Sequence, residues 1–494
     1  MARLHRIVRS RDRCPGIVTA LLCLLGACSG CPSSSGSDDA ATDETCNYAS
    51  CEAYCRSVGL CYGSCAGGTC HCGCVDADAD TVPDDTGPDR METSDIEASE
   101  DAAGLPDAGE CTYRAPNETR PGASPGVTCR RLSVPELEYA VLYFSADADN
   151  VIVPLRVRGI NALWHLRRST GCWQELVETR SDLAAREVIL DVALQGRRVA
   201  YSSSWDASPT AWACELRLFD LETHELRVLD ANTSEDPGTG GSPCDIRPIA
   251  LEYPWVVWRD IRQETRGFYP WDVLAFDLRS DEISNLSINP TSGARDWGSG
   301  AVRVDIRNGL SVFDADWYNP APPPSVFMEI VSVDLASGTR RQITAVPGEQ
   351  YNAVVTEDWV AWIDLREDPT QTSFWPCSAD IYGWNRTTEE EVLLVGGEDT
   401  AMHGPSLDAE GPWLAYVDHR WGPWPACSTS DDEQDIVALH LPTRTELRIT
   451  DWPGREDATL VYDRGDGTYG LLIHQEIDYA THTYRLWDCD LPEP

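Results

Sequence analysis

The feature that most constrains the fold is a pair of apolar strands that recurs from about residue 130 onward. The second strand of each pair tends to close on Asp-Leu and a polar turn. In successive copies its centre is Trp164, Phe219, Phe276, Val333, Trp384, Leu439 and Trp487. The first strand is centred on Tyr143, Tyr201, Trp258, Phe313, Trp362, Tyr416 and Ile473. The second-strand centres recur at intervals of 48 to 57 residues, and seven copies at so constant a period indicate an array of like units.

Each copy has the chemistry of short strands. β-Branched and aromatic residues alternate with polar ones at a period of two, and no segment carries a convincing helical period. A further strand follows each pair, as at residues 339–344. Four short antiparallel strands per unit, repeated around a ring, leave no long open sheet edge. The sequence therefore predicts an all-β protein, a β-propeller of seven blades, or of six if the copy at 138–178 is only a closing piece.

The last copy is one strand short. It stops after its third strand, at Cys489 to Leu491. The segment near Cys129 to Val134 most simply supplies the missing outer strand, and this pairing would close the ring.

The repeats resemble a known group of propellers. Their strand order, the Asp-Leu turn and the closing Ile343-Thr344 are similar to the PD40 repeats of TolB-like propellers, over residues 130–494. The usual Ser-Pro-Asp-Gly turn is replaced, for example by Leu194-Gln195-Gly196. The resemblance implies the fold, and it implies no particular partner.

The N-terminus has the organisation of an export signal. Residues 1–13 carry five arginines and one histidine, and an apolar stretch too short to span a bilayer runs from Gly16 to Ala27. Residues 25–28 resemble the lipobox of bacterial lipoproteins. The resemblance implies that residues 1–27 are removed and that acylated Cys28 holds the protein on the lipid bilayer. The residue after the cysteine is Ser29 and not an aspartate. We therefore expect the protein to be anchored to the outer membrane of the cell envelope, where it faces the periplasm or the surface.

Three segments separate this anchor from the repeats. Residues 28–45 are rich in Ser, Gly and Asp and predict a flexible tether. Eight cysteines between residues 46 and 74 predict a disulfide-rich mini-domain, since an exported chain meets an oxidising compartment. A zinc module that includes His71 is the alternative. Residues 75–110 hold thirteen acids and one arginine, which predicts an extended disordered linker before a propeller at 111–494.

The acidic linker contains a candidate cation site. Its alternating aspartates resemble one calcium loop of the thrombospondin type 3 repeat. The resemblance implies a Ca²⁺ site formed by Asp76, Asp78, Asp80 and Asp84, because a hard cation prefers carboxylate oxygens. A plain acidic linker with no cofactor is the alternative.

Charge excludes several functions. Acidic residues number 81 against 39 basic ones, the net charge is -42, and every basic residue is arginine. Without lysine the chain has no GxxxxGK phosphate loop and no lysine nucleophile. We expect no nucleic-acid partner, because such binders need a basic surface.

Three copies share an aromatic-x-Asp-x-Arg spacing that places three side chains on one face of a strand. They are Trp258-Asp260-Arg262, Trp362-Asp364-Arg366 and Tyr416-Asp418-Arg420. Because the spacing recurs, we interpret it as packing and ion pairing between blades, and not as a catalytic carboxylate.

The loops inside the strand pairs are long and rich in Trp and Pro. Exposed aromatic loops on a rigid scaffold are typical of surfaces that bind sugars or peptides. The alternative is that these rings fold back and cap the sheet edges. The candidate binding residues are Trp271, Trp317, Trp375, Trp421 and Trp424.

Cysteines in the repeats predict loop-stapling disulfides. Cys377 and Cys427 fall in corresponding loops of neighbouring copies, so we expect them to be bonded to each other. We also expect Cys214 to pair with Cys244, and Cys111 with Cys129.

Motifs of catalysis are scarce. The chain has no GxSxG elbow and no HExxH, and the histidines of the last copies sit at unlike phases of the repeat. We expect a membrane-anchored envelope lipoprotein whose propeller is a binding scaffold for a glycan or a protein. A carbohydrate-active enzyme, lyase or hydrolase-like, or a peptidase-like enzyme, with its site in the channel, is the alternative.

Overall fold

The structure is a computed structural model. It describes residues 62–66, 69–73, 111–133, 143–157, 160–178, 187–208, 211–235, 246–261, 271–288, 303–317, 327–366, 379–396, 402–418, 420–421, 433–478 and 483–493. The chain forms two compact units, Met1–Ala98 and Ser99–Pro494. The described part of the first unit is an antiparallel hairpin of β1 (Tyr62–Ala66) and β2 (Thr69–Gly73). The predicted signal peptide, both tethers and the rest of the cysteine-rich segment lie outside the described residues.

The second unit is a series of antiparallel sheets, numbered here 1 to 7 in chain order. The chain first forms β3 (Tyr113–Arg114), β4 (Thr119–Pro121) and β5 (Thr128–Arg131). Sheet 1 contains β6 (Ser145–Ala146), β7 (Asn150–Val157), β8 (Ile160–Arg167) and β9 (Cys172–Glu178), with β3 beside β9. Sheet 2 contains β10 (Val188–Gln195), β11 (Arg198–Ser208), β12 (Ala211–Asp220) and β13 (Leu226–Glu235). Sheet 3 contains β14 (Ile249–Glu252), β15 (Trp255–Ile261), β16 (Trp271–Asp277) and β17 (Glu282–Asn285).

The later sheets repeat this order. Sheet 4 contains β18 (Val304–Arg307), β19 (Leu310–Trp317), β20 (Phe327–Asp334) and β21 (Arg340–Gln342). Sheet 5 contains β22 (Gln350–Val355), β23 (Trp359–Asp364), β24 (Asp380–Asn385) and β25 (Glu391–Val395). Sheet 6 contains β26 (Met402–Glu410), β27 (Trp413–Asp418), β28 (Glu433–His440) and β29 (Thr445–Arg448). Sheet 7 contains β30 (Gly454–Asp463), β31 (Tyr469–Asp478) and β32 (Thr483–Leu491), followed by β5 and β4. A short parallel pairing of β28 with β30 joins sheets 6 and 7 into one nine-stranded sheet.

The strand centres predicted from the repeat fall where the register requires, with one exception. The seven second centres all lie on the third strand of a sheet, and six of the first centres lie on the second strand. The exception is Tyr143, which precedes β6. The second strand of sheet 1 is β7, which carries Val153 and Pro154 at its middle and no aromatic residue. The prediction that Tyr143 is the centre of this strand is therefore wrong.

The sheets pack face to face through separate apolar clusters. Each cluster joins one sheet to the next in chain order. One further cluster joins sheet 7 to sheet 1, where Tyr462 and Leu472 pack with Trp164 and Val151. The first strand of every sheet contacts the first strand of the next, and β30 also contacts β6. The innermost strands therefore surround a common axis.

The N-terminal strand β5 completes sheet 7. It pairs antiparallel with β32, which places Arg131 opposite Trp487 and Cys129 opposite Cys489. This confirms the prediction that a segment near Cys129 supplies the missing outer strand. The two cysteines form a disulfide with their Cα atoms 3.9 Å apart.

The predicted Cys111–Cys129 disulfide is wrong. Because β3 pairs with β9, Cys111 lies next to Cys172 and bonds to it, with a Cα–Cα distance of 5.3 Å. Cys214 is also in a disulfide. Its expected partner Cys244 lies outside the described residues, as do Cys377 and Cys427.

Candidate functional site

A cavity of about 860 Å³ lies where the innermost strands meet. Every sheet contributes to its wall. One lining residue from each of sheets 1 to 7, in order, is Ser145, Asp191, Ile249, Asp305, Asn352, Asp408 and Val461. An axial cavity of this kind follows from the arrangement of the sheets, since the edges of seven first strands face one another.

The cavity has two distinct ends. At the hairpin end, the first strand of each sheet turns into the second, as at Glu252 opposite Trp255 and Arg307 opposite Leu310. At the opposite end, here called the loop end, the chain enters the first strands and the second strands lead into the third. Antiparallel order requires this alternation. The long aromatic loops predicted from the sequence leave the sheets at the loop end.

Three aspartates of the cavity wall, of which Asp191 and Asp408 are buried and Asp305 is half-buried, join one sheet to the next. Asp191 Oδ2 accepts a hydrogen bond from the Ile249 backbone N–H at 2.7 Å, which links sheet 2 to sheet 3. Asp305 Oδ2 accepts from the Val355 N–H at 2.8 Å and links sheet 4 to sheet 5. The third link, from sheet 6 to sheet 7, is made by Asp408.

Burial changes the ionisation of these groups. It raises the pKa of Asp191 to about 7, although the Val192 and Ile249 N–H groups oppose the shift. Burial likewise raises the pKa of Asp305 to about 6, against the nearby Arg303. The pKa of Glu410 rises to about 7 for the same reason, against Arg307. These carboxyl groups therefore titrate near neutral pH instead of near 4.

Two ion pairs cross from sheet 4 to sheet 6. The Arg303 guanidinium binds the carboxylate of Asp408 and the Leu407 carbonyl oxygen. Arg307 Nη1 donates to Glu410 Oε2 at 3.1 Å, and Arg307 Nη2 also binds this carboxylate. Asp408 is buried and the other three side chains are half-buried, so these contacts are part of the scaffold.

The sequence reasoning missed these wall residues. Asp305 stands alone between Val304 and Ile306, and Asp408 stands alone between Leu407 and Ala409. A single acid inside a short apolar strand is the signal that would have found them. Their partners lie on other sheets and leave no local pattern.

The aromatic-x-Asp-x-Arg spacing is structural. Trp362 lies in the apolar cluster that joins sheets 4 and 5, so the predicted packing between neighbouring units is confirmed for this aromatic residue. Trp362 Nε1 donates to Asp364 Oδ2 at 2.9 Å. Arg366 pairs with Asp364 and with Glu391, on the fourth strand of the same sheet. These ion pairs therefore join the second and fourth strands of sheet 5, and not one sheet to the next.

The copy in sheet 6 has the corresponding two ion pairs of its arginine. Arg420 Nε donates to Asp418 Oδ2 at 2.5 Å, and its Nη2 pairs with Glu446 Oε2 at 2.9 Å. In the third copy, Arg262 lies outside the described residues.

Of the candidate binding aromatics, Trp421 is the one whose side chain the structure describes. It lies at the loop end, just beyond β27, and is 40% exposed. The guanidinium carbons of Arg420 and Arg448 lie 4.9 and 4.6 Å from its ring centroid. Trp271 begins β16 and Trp317 ends β19, so both backbones reach the loop end. Trp375 and Trp424 lie outside the described residues.

The remaining predicted sites fall outside the described part of the chain. They are the lipidation residue Cys28 and the calcium candidates Asp76, Asp78, Asp80 and Asp84. Within the described ranges, no group of three or more His, Cys, Asp or Glu is placed to hold a metal ion. No helix in those ranges has the length and apolarity needed to cross a bilayer.

The histidines that are described serve packing. His474 lines the cavity wall, and its ring stacks on Tyr484 at 4.3 Å. His440 lies against Trp413 at 5.0 Å. His165, which sequence reasoning did not single out, contacts Asn150 Oδ1 at 2.8 Å, and burial lowers its pKa to about 4.

The sequence matches no family model and no curated protein. Solved structures do match the fold. An oligogalacturonate lyase in complex with manganese is 11% identical and aligns over 77% of this chain and 97% of its own, with a TM-score of 0.50. The β-propeller domain of the Trilobed protease from Pyrococcus furiosus is 10% identical, covering 72% and 97%, with a TM-score of 0.49. TolB from Acinetobacter baumannii is 11% identical, covering 63% and 66%, with a TM-score of 0.38. At these identities the likeness shows the fold alone, and the chain has an all-β propeller fold.

Proposed function

We propose that this chain is a lipid-anchored protein of the bacterial cell envelope, whose TolB-like, seven-bladed propeller is a binding scaffold for a glycan or a protein. Each of sheets 1 to 7 is one blade in this proposal. The apolar cluster between sheets 7 and 1 supports that count, because it makes sheet 1 a packed neighbour like the other six. A six-bladed ring would leave sheet 1 outside this sequence of contacts.

The observation that carries the binding role is the use of the cavity carboxylates. Asp191, Asp305 and Asp408 accept backbone N–H groups from the next sheet, and Asp408 also binds Arg303. A general base or nucleophile needs an acceptor oxygen aimed at substrate, whereas these oxygens hold the ring together. Recognition therefore belongs to the loop end, where Trp271, Trp317, Trp375, Trp421 and Trp424 are the candidate contacts.

One observation favours the enzymatic alternative. Asp, Arg and His side chains do converge on the cavity, with Arg259, Arg455 and His474 among them. A carbohydrate-active or peptidase-like enzyme would use such a set. The two functions differ in outcome, because an enzyme converts its ligand and a scaffold returns it unchanged.

The aromatic residues at the loop end are here called the loop face. Their role is tested with the exported chain carrying Cys28→Ser, applied to a glycan array and to purified envelope proteins. A defined ligand should bind, and Trp421→Ala should weaken its binding about tenfold or more, as loss of an aromatic contact residue does. Tyr253→Ala is the matched control, because Tyr253 is 50% exposed in a turn at the hairpin end. Equal binding by Trp421→Ala and the wild type would show that Trp421 does not contact the ligand and would count against the loop face as the binding surface. Release of a cleaved product would favour the enzymatic function over the binding scaffold.

Membrane attachment is a separate prediction. Cys28→Ala should move nearly all of the chain from the membrane to the soluble fraction, because a single stable anchor of this kind needs its acyl chains. Cys31→Ala, three residues away, is the control and should stay in the membrane fraction. The measurement is fractionation after labelling with a clickable fatty acid. A labelled, membrane-bound Cys28→Ala chain would contradict the anchor.

We make two further proposals, about nucleic acid and about calcium. The net charge of -42 opposes nucleic acid as a partner. The calcium site of Asp76, Asp78, Asp80 and Asp84 is separate from the propeller, and the binding role does not require it.

A further inference from the structure

The loop end of the cavity contains buried donors without a hydrogen-bond partner. Asn352 is 1% exposed and Gln434 is 3% exposed, and both line the cavity. Neither Asn352 Nδ2 nor Gln434 Nε2 has a partner among the described residues, and the same holds for the hydroxyl of Thr459 in the same wall. Leaving a buried polar group unpaired is unfavourable, so three such groups from three neighbouring sheets call for an acceptor in the cavity.

Backbone features fix both amides in place. Asn352 has φ of 57°, in the left-handed region that asparagine tolerates better than most residues. The register of β22 against β23 shifts between Tyr351 and Val354, around this residue. Gln434 lies opposite Arg455 where β28 and β30 pair in parallel. The two amides therefore belong to the scaffold and not to loops.

Charged side chains are unevenly distributed along the cavity. At the hairpin end its wall includes Asp147, Glu252, Glu410 and Asp463, with Arg307 as the counter-charge. The other arginines of the wall, Arg247, Arg259, Arg303 and Arg455, lie farther from that end. The wall also includes Asp191, Asp305 and Asp408, and Asp408 pairs with Arg303. An anion therefore meets less acidic charge away from the hairpin end, in a chain of net charge -42.

We propose that the loop end of the cavity binds a small carboxylate anion, whose oxygens accept hydrogen bonds from Asn352 Nδ2, Gln434 Nε2 and the Thr459 hydroxyl. A cavity of 860 Å³ has the size of a small-molecule site. The planar pair of oxygens suits two amide donors. A phosphate, with about two negative charges, would be repelled more strongly by Asp191 and Asp305 in the same wall. This site is distinct from the loop-face aromatics and does not depend on them.

Calorimetric titration of the full exported chain, carrying Cys28→Ser, tests the proposal with gluconate and lactate, two singly charged carboxylates, as probes. Glucose is the neutral probe and inorganic phosphate the competing anion. At least one carboxylate should bind, and Asn352→Asp and Gln434→Glu should each weaken it about tenfold or more, because each replaces a donor to a charged group by a like charge. Gln195→Glu makes the same change at the hairpin end and should leave affinity within about twofold.

Circular dichroism and the melting temperature show whether each variant folds, and either cavity variant suffices if the other does not. The proposal is overturned if neither carboxylate binds at millimolar concentration, if glucose or phosphate binds as tightly as the carboxylates, or if Gln195→Glu weakens binding as much as Gln434→Glu.

Discussion

Replacing Cys129 and Cys489 together with alanine should lower the free energy of unfolding by about 4–5 kcal/mol. The disulfide joins residues 360 apart, so its loss frees almost the whole propeller in the unfolded state. Loop entropy grows with the length of chain enclosed, and loops of this size lie at the upper end of measured disulfide effects. The same bond fixes β5 beside β32, which closes sheet 7.

The matched control is Cys111→Ala with Cys172→Ala. That disulfide encloses 61 residues and joins β3 to β9 at the outer edge of sheet 1. By the same relation between loop length and entropy, its removal should lower the free energy of unfolding by about 1.5 kcal/mol less than removal of Cys129–Cys489. Denaturant unfolding under non-reducing conditions measures both. If the Cys129 and Cys489 pair costs no more than the control pair, the N-terminal strand does not close the ring.

The second large effect concerns pH and Glu456. This side chain is 0% exposed between sheets 6 and 7. Gln475 Nε2 donates to its Oε1 at 3.0 Å, and Gln475 Oε1 in turn accepts from Trp487 Nε1 at 3.0 Å. Burial, with a smaller repulsion from Asp435, raises the pKa of Glu456 from 4.5 to about 9. The folded protein therefore holds this carboxyl group protonated at neutral pH, whereas the unfolded chain ionises it.

The sign of the pH dependence follows from that difference. Because the folded pKa lies above the unfolded one, the contribution of Glu456 to stability is fully present below about pH 4.5. It is lost as the pH rises toward 9. Glu456→Gln keeps the shape of the protonated acid and cannot ionise. Between pH 5 and 9 the variant should gain stability relative to the wild type by up to about 1.4 kcal/mol per pH unit.

Denaturant unfolding of both proteins at several pH values measures this difference. Asp191, Asp305 and Glu410 also have raised pKa values, but they titrate in both proteins and cancel. Glu389→Gln is the control, because Glu389 lies on the surface in an ion pair with Arg341 and should show a flat difference over this range. A flat difference for Glu456→Gln as well would mean that Glu456 is ionised in the folded protein.

The repeated elements of the fold were predictable because their signals are local. A third strand such as β24, with Ile381, Tyr382 and Trp384 between Asp380 and Asn385, is recognisable from its own six residues. The same reasoning failed at Tyr143, because β7 carries no aromatic residue at its centre. It succeeded for β5 because the last copy lacks a strand, and the chain had one segment left to supply it.

The long-range contacts were predictable only in part. Cys111 and Cys129 are neighbours in sequence, which suggested their pairing, but β9 and β32 separate them into different sheets. The Arg303–Asp408 pair joins residues 105 apart in the chain, and no local pattern marks either partner. Whether a polar side chain such as Asn352 has a hydrogen-bond partner depends on the other sheets around the cavity, and its own sequence neighbours do not reveal it. The fold was therefore easier to predict from the sequence than the cavity residues.

Closure of sheet 7 depends on the pairing of β5 with β32. Proteolysis of the chain under oxidising, non-reducing conditions, followed by mass spectrometry of the linked peptides, tests this pairing. One peptide pair should be joined through Cys129 and Cys489, and a second through Cys111 and Cys172. A peptide in which Cys111 is joined to Cys129, or a free Cys489, would contradict it.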